Sequence, residues 1–213
     1  RERMANLQTV ARKSPYYERG DPPALQVRHD MMRAKIAAYT QGQGAVQRMF
    51  RKNPRSFAAL YGDAIVTYLY GSPATALTKV DALLKKQPGS PYLHELRADT
   101  LIKANKPDQA AKAYAKAVSL DAEKSGQLRI GYGQALLATG RPDAVKKAIG
   151  ELRSGLDRDP DFITGYRYLA QAYGMTGDIG LAELTAAEGH YRSGQYREAK
   201  IFAARSQQKL KKG

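Results

Sequence analysis

The chain has 213 residues, with 35 Lys and Arg against 20 Asp and Glu, and neither Cys nor Trp. That length can bury a real core as one large domain or two small ones, and the lack of Cys excludes a disulfide framework, a thiolate nucleophile, a zinc finger or an iron–sulfur cluster. Mean hydropathy is −0.55 and no run approaches the ~18 apolar residues of a spanning helix, while the net charge of +15 raises nucleic acid, an anionic membrane surface or acidic proteins as partners.

Arg1-Glu2-Arg3 opens a helical pattern with no initiator Met and no basic–apolar–small leader, so the chain reads as a piece cut from a longer protein. Residues 1–13 are a predicted helix, and 14–23 a linker rich in Pro and Tyr. Helices at 24–41 and 44–52 form a degenerate first pair. Fuller pairs follow: 56–70 with 73–86, 91–104 with 107–120, 124–139 with 142–157, and 161–176 with 178–193. A last helix covers 195–211. Gly71, Gly140 and Gly177 end first helices where a left-handed residue is wanted, and Asn105 takes that place in one pair. Pro88 and Pro160 end second helices, which Pro cannot continue. No strand pattern occurs.

The pairs repeat. Small residues at Ala76, Ala110, Ala148, Ala182 and Ala199 are spaced by 34, 38, 34 and 17. A second set, Ala64, Ala98, Gly133, Ala170 and Ala187, is spaced by 34, 35, 37 and 17. Both converge on about 34, the tetratricopeptide repeat (TPR) period, in which two antiparallel helices cross so closely that only Gly or Ala fits. Tyr114 and Leu152 are the larger residues expected to fill holes between crossings. Tyr166, Leu169, Ala170, Tyr173, Gly177 and Ala182 follow the repeat's consensus most closely. The predicted fold is therefore all-α: a TPR solenoid of about four to five helix pairs in a right-handed superhelix, over residues 23–213, preceded by a helix and linker at 1–22. Extra residues between Gly140 and Ala148 call for an early helix start or a bulged loop. The final half-period makes the helix at 178–193 serve two pairs.

Catalytic chemistry is not legible. His29, His94 and His190 fall on different helices. His94-Glu95-Leu96-Arg97-Ala98 begins like H-E-x-x-H, but Ala98 stands where the second zinc ligand belongs and is itself a packing position. Gly42-Gln43-Gly44 is a turn between helices and not a phosphate loop. No metal or cofactor site is expected in this stretch.

Binding is the better prospect. First helices of a TPR array line its concave face, and the corresponding stripe is Tyr61, Ile65 and Tyr68, then Glu95, Asp99 and Ile102, then Ile130, Gln134 and Leu137, then Arg167, Gln171 and Met175. Glu95 and Asp99 are the wrong sign for clamping a terminal carboxylate. The stripe is expected to hold an extended peptide or chain segment. Residues 1–53 carry 11 basic and 4 acidic side chains, residues 54–213 carry 24 and 16, and Lys209, Lys211 and Lys212 form a basic tail. Arg48, Arg51 and Lys52, and Lys146 with Lys147, are local clusters. Dispersal over many helices argues for a solvated surface and against nucleic acid, and leaves an anionic membrane surface as a possible partner.

Ser14-Pro15-Tyr16-Tyr17, the run Arg28-His29-Asp30-Met31-Met32-Arg33-Ala34-Lys35, Pro91-Tyr92-Leu93-His94-Glu95-Leu96 and Tyr166 to Gly174 together resemble the C-terminal half of bacterial BepA-like zinc metallopeptidases, relatives of the HtpX and CAAX-processing proteases. The resemblance covers nearly the whole chain, and the R-H-D-M-M-R-A-K run carries most of its specificity. It implies that residues 1–13 are similar to the last helix of a protease domain, whose zinc ligands and catalytic Glu lie outside this chain. It implies a periplasmic parent in outer-membrane protein quality control, with zinc only in the catalytic domain. The repeats would then cover the protease cleft and recruit unfolded or outer-membrane substrates or assembly partners. The chain stops short of the family's usual end. A general TPR scaffold unrelated to proteolysis, or a basic binder of anionic surfaces or nucleic acid, are the alternatives.

Overall fold

Proline sets where several helices begin. The computed structural model describes residues 9–15, 17, 20 and 22–210. In it Pro73, Pro91, Pro107 and Pro142 each open a helix, where the missing N–H has no intrahelical partner to lose. Ser72 adds a cap, its hydroxyl accepting from the Thr75 amide at 3.1 Å. The helices are α1 (Pro23–Gln41), α2 (Gln43–Met49), α3 (Phe57–Tyr70), α4 (Pro73–Lys86), α5 (Pro91–Lys103), α6 (Pro107–Leu120), α7 (Gly126–Ala138), α8 (Pro142–Arg158), α9 (Ile163–Thr176), α10 (Ile179–Arg192) and α11 (Tyr196–Leu210). Residues 9–12 are also helical, and no strand occurs among the described residues. The rest of the helix expected at 1–13, and Lys211 and Lys212 of the expected basic tail, lie outside the described residues.

The turns divide into those expected and those not. Gly140 (φ 69°), Gly177 (φ 85°) and Asn105 (φ 56°) are left-handed, as their helix ends require. Gly71 is not left-handed; there the Ser72 cap starts α4 directly and no Schellman-type reversal is needed. Lys124 adopts φ 54°, which breaks the helix expected from 124 and delays α7 to Gly126. The extra residues after Gly140 are absorbed by a longer helix: α8 has 17 residues where α4, α6 and α10 have 14.

The chain forms two units, residues 1–63 and residues 64–213, and the division falls inside α3. In the first, Met31, Ala34, Ala37 and Ala38 of α1 and Ala45 and Val46 of α2 are buried. A Cβ on Gly62 would sit 2.8 Å from Val46 Cγ1 and 3.2 Å from Ala34 Cβ, so glycine lets these helices close.

In the second unit each helix from α4 to α11 packs on the next, and α7 also touches α5 and α9. One buried cluster runs through it from Ala98 to Ala172. The expected holes and knobs meet: Leu152 is fully buried over Gly133, and the Tyr114 ring lies over Gly131. Ala76, Ala110 and Ala148 are fully buried at their crossings. The spacing slips in the fourth pair, where Ala170 and Ala182 are only half-buried. Ala172 takes the buried place on α9, and α10 approaches α11 closely at Gly180, where a Cβ would meet Leu210 Cδ2 at 2.6 Å. As the half-period implied, α10 packs against both α9 and α11.

Candidate interaction surface

The predicted stripe is brought together only in part. Tyr61 and Ile65 are 2% and 1% exposed, and Ile130 and Leu137 are also buried, so these four are core residues. The reason on α3 is that Phe57–Tyr70 is apolar on nearly every side, which leaves spacing unable to say which side faces out. Tyr68, Glu95, Asp99, Ile102 and Gln134 are half-buried, and Arg167, Gln171 and Met175 are exposed.

Tyr68, Glu95 and Asp99 share one neighbourhood. Glu95 and Asp99 are one turn apart on α5 and face the same way. From α6, the Tyr114 hydroxyl donates to Asp99 Oδ1. At the end of α3, Lys103 Nζ donates to the Tyr68 carbonyl at 2.6 Å and the Leu69 carbonyl at 3.0 Å, and stands 5.5 Å from the Tyr68 ring. A cation at a helix C-terminus satisfies carbonyls that have no intrahelical donor. Spacing alone points to Tyr68, Glu95 and Asp99; it misses Tyr114, a second-helix residue whose polar tip reaches across to the first-helix layer.

Both phenols are held protonated. Burial pushes Tyr114 well above 10.0, and the Asp99 charge, its hydrogen bond and the charge of Glu95 push the same way. Tyr68 is raised by burial, then by Asp99 and Glu95. The sign for stability follows. Below the ordinary tyrosine value both folded and unfolded phenols are protonated and stability does not change. Above about pH 10 the unfolded phenol ionises while the folded one does not, so stability falls until the raised folded value is passed. Urea midpoints measured between about pH 9 and pH 11 should therefore drop less for Tyr114→Phe than for the parent chain.

His94 and His190 have structural partners. His94 Nε2 donates to the Pro88 carbonyl at 2.9 Å, tying α5 to the preceding loop. His190 stacks on Phe202 at 5.1 Å and its Nδ1 lies 2.5 Å from Gln195 Oε1. Among the described residues no three His, Asp or Glu side chains are grouped to hold a metal.

A second concavity, a groove of about 1410 Å³, is bounded by α8, α9, α10 and α11. Tyr166, Leu169 and Tyr173 line one side and Leu184, Tyr191 and Tyr196 another. Arg192 lies 5.6 Å from the Tyr166 ring and 3.7 Å from Asp161. Sequence reasoning missed this groove, although Tyr191 and Tyr196 flank the left-handed Gly194 at the half-period turn.

Residues 101–162 match the family model described as tetratricopeptide repeat. No curated protein matches the chain. Among solved structures, MamA AMB-1 is 17% identical, with a TM-score of 0.61 over 79% of this chain and 97% of that one. MamA from Desulfovibrio magneticus RS-1, residues 41 to the end, is 16% identical, with a TM-score of 0.63 over 79% and 96%. YrrB, described as a TPR protein with an unusual peptide-binding site, is 14% identical, with a TM-score of 0.60 over 82% and 88%. At these identities the likeness shows the fold, an all-α TPR solenoid.

Proposed function

We propose that this chain is a non-catalytic protein-interaction domain that holds an extended peptide segment against the face bearing Tyr68, Glu95 and Asp99. The observation that carries this reading is the convergence of two carboxylates and two tyrosines on adjacent helices. On a chain of net charge +15, an acidic and aromatic face stands apart from its surroundings. It suits a segment that presents Lys or Arg, whose ammonium or guanidinium would meet carboxylates and ring faces together. A TPR neighbour described by its peptide-binding site is in keeping with this use of the fold.

The finer reading places the domain in a periplasmic BepA-like zinc metallopeptidase, covering its cleft and recruiting unfolded or outer-membrane proteins. Its support is the run from Arg28 to Lys35 with the matching stretches at Pro91 and Tyr166. Zinc and the hydrolytic step would then belong to the catalytic domain, and this chain would select what reaches it.

Two measurements test the two levels separately. In fluorescence anisotropy with an extended Lys-containing peptide, Glu95→Lys is expected to weaken binding about tenfold, the scale of one reversed charge contact. Leu184→Glu, in the α8–α11 groove, should leave it unchanged. The opposite pattern would move the peptide site to that groove. Sequencing of the parent gene tests the family: a coding region upstream of Arg1 without H-E-x-x-H would leave a general TPR scaffold as the reading.

A further inference from the structure

The groove of α8 to α11 has the form of a seat for a helix. Packing runs from α8 to α9, from α9 to α10 and from α10 to α11, and the groove touches all four. Helices α8 and α11 are therefore its walls, and the α9–α10 pair is its floor. The shared helix produces this arrangement, because α10 closes the pair with α9 and also carries α11. Each floor helix offers a row at helical spacing. On α9 the row is Tyr166, Leu169 and Tyr173; on α10 it is Leu181, Leu184, Glu188 and Tyr191. Steps of three and four residues fall on one face of a helix, and such rows are the ridges between which another helix packs. The α11 wall presents Ala199 and Ala203 one turn apart, which leaves room for close approach.

Size and chemistry single out a helix over an extended segment. From Leu181 to Tyr191 the floor is about 15 Å long. A groove of about 1410 Å³ matches a cylinder about 10 Å wide and about 18 Å long, or about three turns of helix. An extended segment carries backbone N–H and C=O groups that need partners, and the lining supplies no Asn, Gln or strand edge to meet them. A helix satisfies its own backbone and brings only side chains. At the α10–α11 turn, Tyr191 and Tyr196 meet edge to face at 5.5 Å and are 65% and 59% exposed, an aromatic anchor beside the 39% exposed Leu184. The rim bears both signs: Arg153 and Asp157 on α8, Glu188 on α10 and Lys200 on α11. All four are exposed, and none joins an ion pair among the described residues. A partner of one sign, such as a nucleic acid or an acidic tail, would leave half of that rim opposed.

We propose that this groove docks an amphipathic α-helix of about three to four turns from a partner protein. Its apolar side, at i, i+3, i+4 and i+7, lies on the α9–α10 floor between Leu184 and the Tyr191–Tyr196 pair. Lys and Glu on its two borders meet the rim charges. This surface is distinct from the face of Tyr68, Glu95 and Asp99, and it takes a helical segment where that face takes an extended one.

The test presents the full chain to two displayed libraries of peptides about 16 residues long. One keeps a helical scaffold of Ala, Glu and Lys and varies the i, i+3, i+4 and i+7 positions. The other has the same design with Pro-Gly at its centre, which a helix does not tolerate. The helical library should yield binders and the Pro-Gly library should not. In fluorescence anisotropy with the tightest helical peptide, Leu184→Glu and Ala203→Phe should each weaken binding at least about tenfold, the first by a charge on the apolar floor and the second by bulk on the small wall. Both positions are exposed, and unchanged circular dichroism and urea midpoints would show that the variants fold. An absence of helical binders overturns the proposal, as do binders indifferent to either variant. Equal enrichment from the Pro-Gly library also overturns it, by giving the groove to an extended segment. So does a dimer of the full chain that Leu184→Glu dissociates, which would give the groove to a second copy.

Discussion

Ala110→Glu should lower unfolding free energy by about 4 kcal/mol. Ala110 is fully buried on α6, within the cluster that includes Ala98, Leu101, Tyr114 and Leu136. Glutamate there brings a side chain into a crossing with no room for it, and a carboxylate into an apolar cluster. Protonation would relieve the charge and leave the steric conflict, which by itself costs about 1–3 kcal/mol. Because repeats couple mainly to their neighbours, the loss should concentrate in α5, α6 and α7, where amide exchange should accelerate first. Urea denaturation followed by circular dichroism gives the overall magnitude. A change under about 1 kcal/mol, the range of ordinary surface substitutions, would contradict the crossing. Ala182→Glu is the internal control. Its place in the repeat is equivalent, but it is half-buried and should cost less than about 1 kcal/mol.

Gly155→Ala and Gly150→Ala should move stability in opposite directions, though both lie on α8. By helix propensity each exchange stabilises by about 1 kcal/mol, because alanine loses less backbone freedom. Gly150 is exposed with nothing within 4 Å of a Cβ, so its exchange should realise that gain. Gly155 faces α7: a Cβ there would stand 2.7 Å from Ile130 Cγ1 and 2.9 Å from the Gly126 carbonyl oxygen. The carbonyl is backbone and cannot rotate away, so α7 and α8 must separate. The expected net loss is about 2 kcal/mol. Equal and stabilising shifts at both positions would remove the close α7–α8 approach from the account of this fold.

Much of the architecture is legible before any coordinates. Apolar periodicity marks the helices, and Pro, Gly and Asn mark their ends within a few residues, because capping and helix interruption act over one turn. The recurrence of small residues marks the close crossings, and Gly131 under Tyr114 and Gly133 under Leu152 show why those spacings exist. The errors share a cause. Gly71 reads like Gly140 and Gly177 in sequence, yet the Ser72 cap makes a left-handed residue unnecessary. Ala182 reads like Ala110, yet α11 meets α10 at Gly180.

The site follows the same division. Glu95 and Asp99 share a helix face by spacing alone, and Tyr68 belongs with them by its place in the preceding unit. That Tyr61 and Ile65 are core, that Tyr114 closes on Asp99, and that α8 to α11 enclose a groove depend on which helices touch. Local sequence decides whether a segment is helical and where it stops, since those energies arise within a turn. Which side of an apolar helix is covered is settled only by its neighbours, because burial is a property of the packed assembly. The length, the missing cysteines and the charge of +15 bound the class of molecule from the outset. Only the tertiary structure shows which of those cations meet carboxylates across the repeats, as Arg97 meets Asp81 and Arg129 meets Glu151, because that depends on which helices lie side by side.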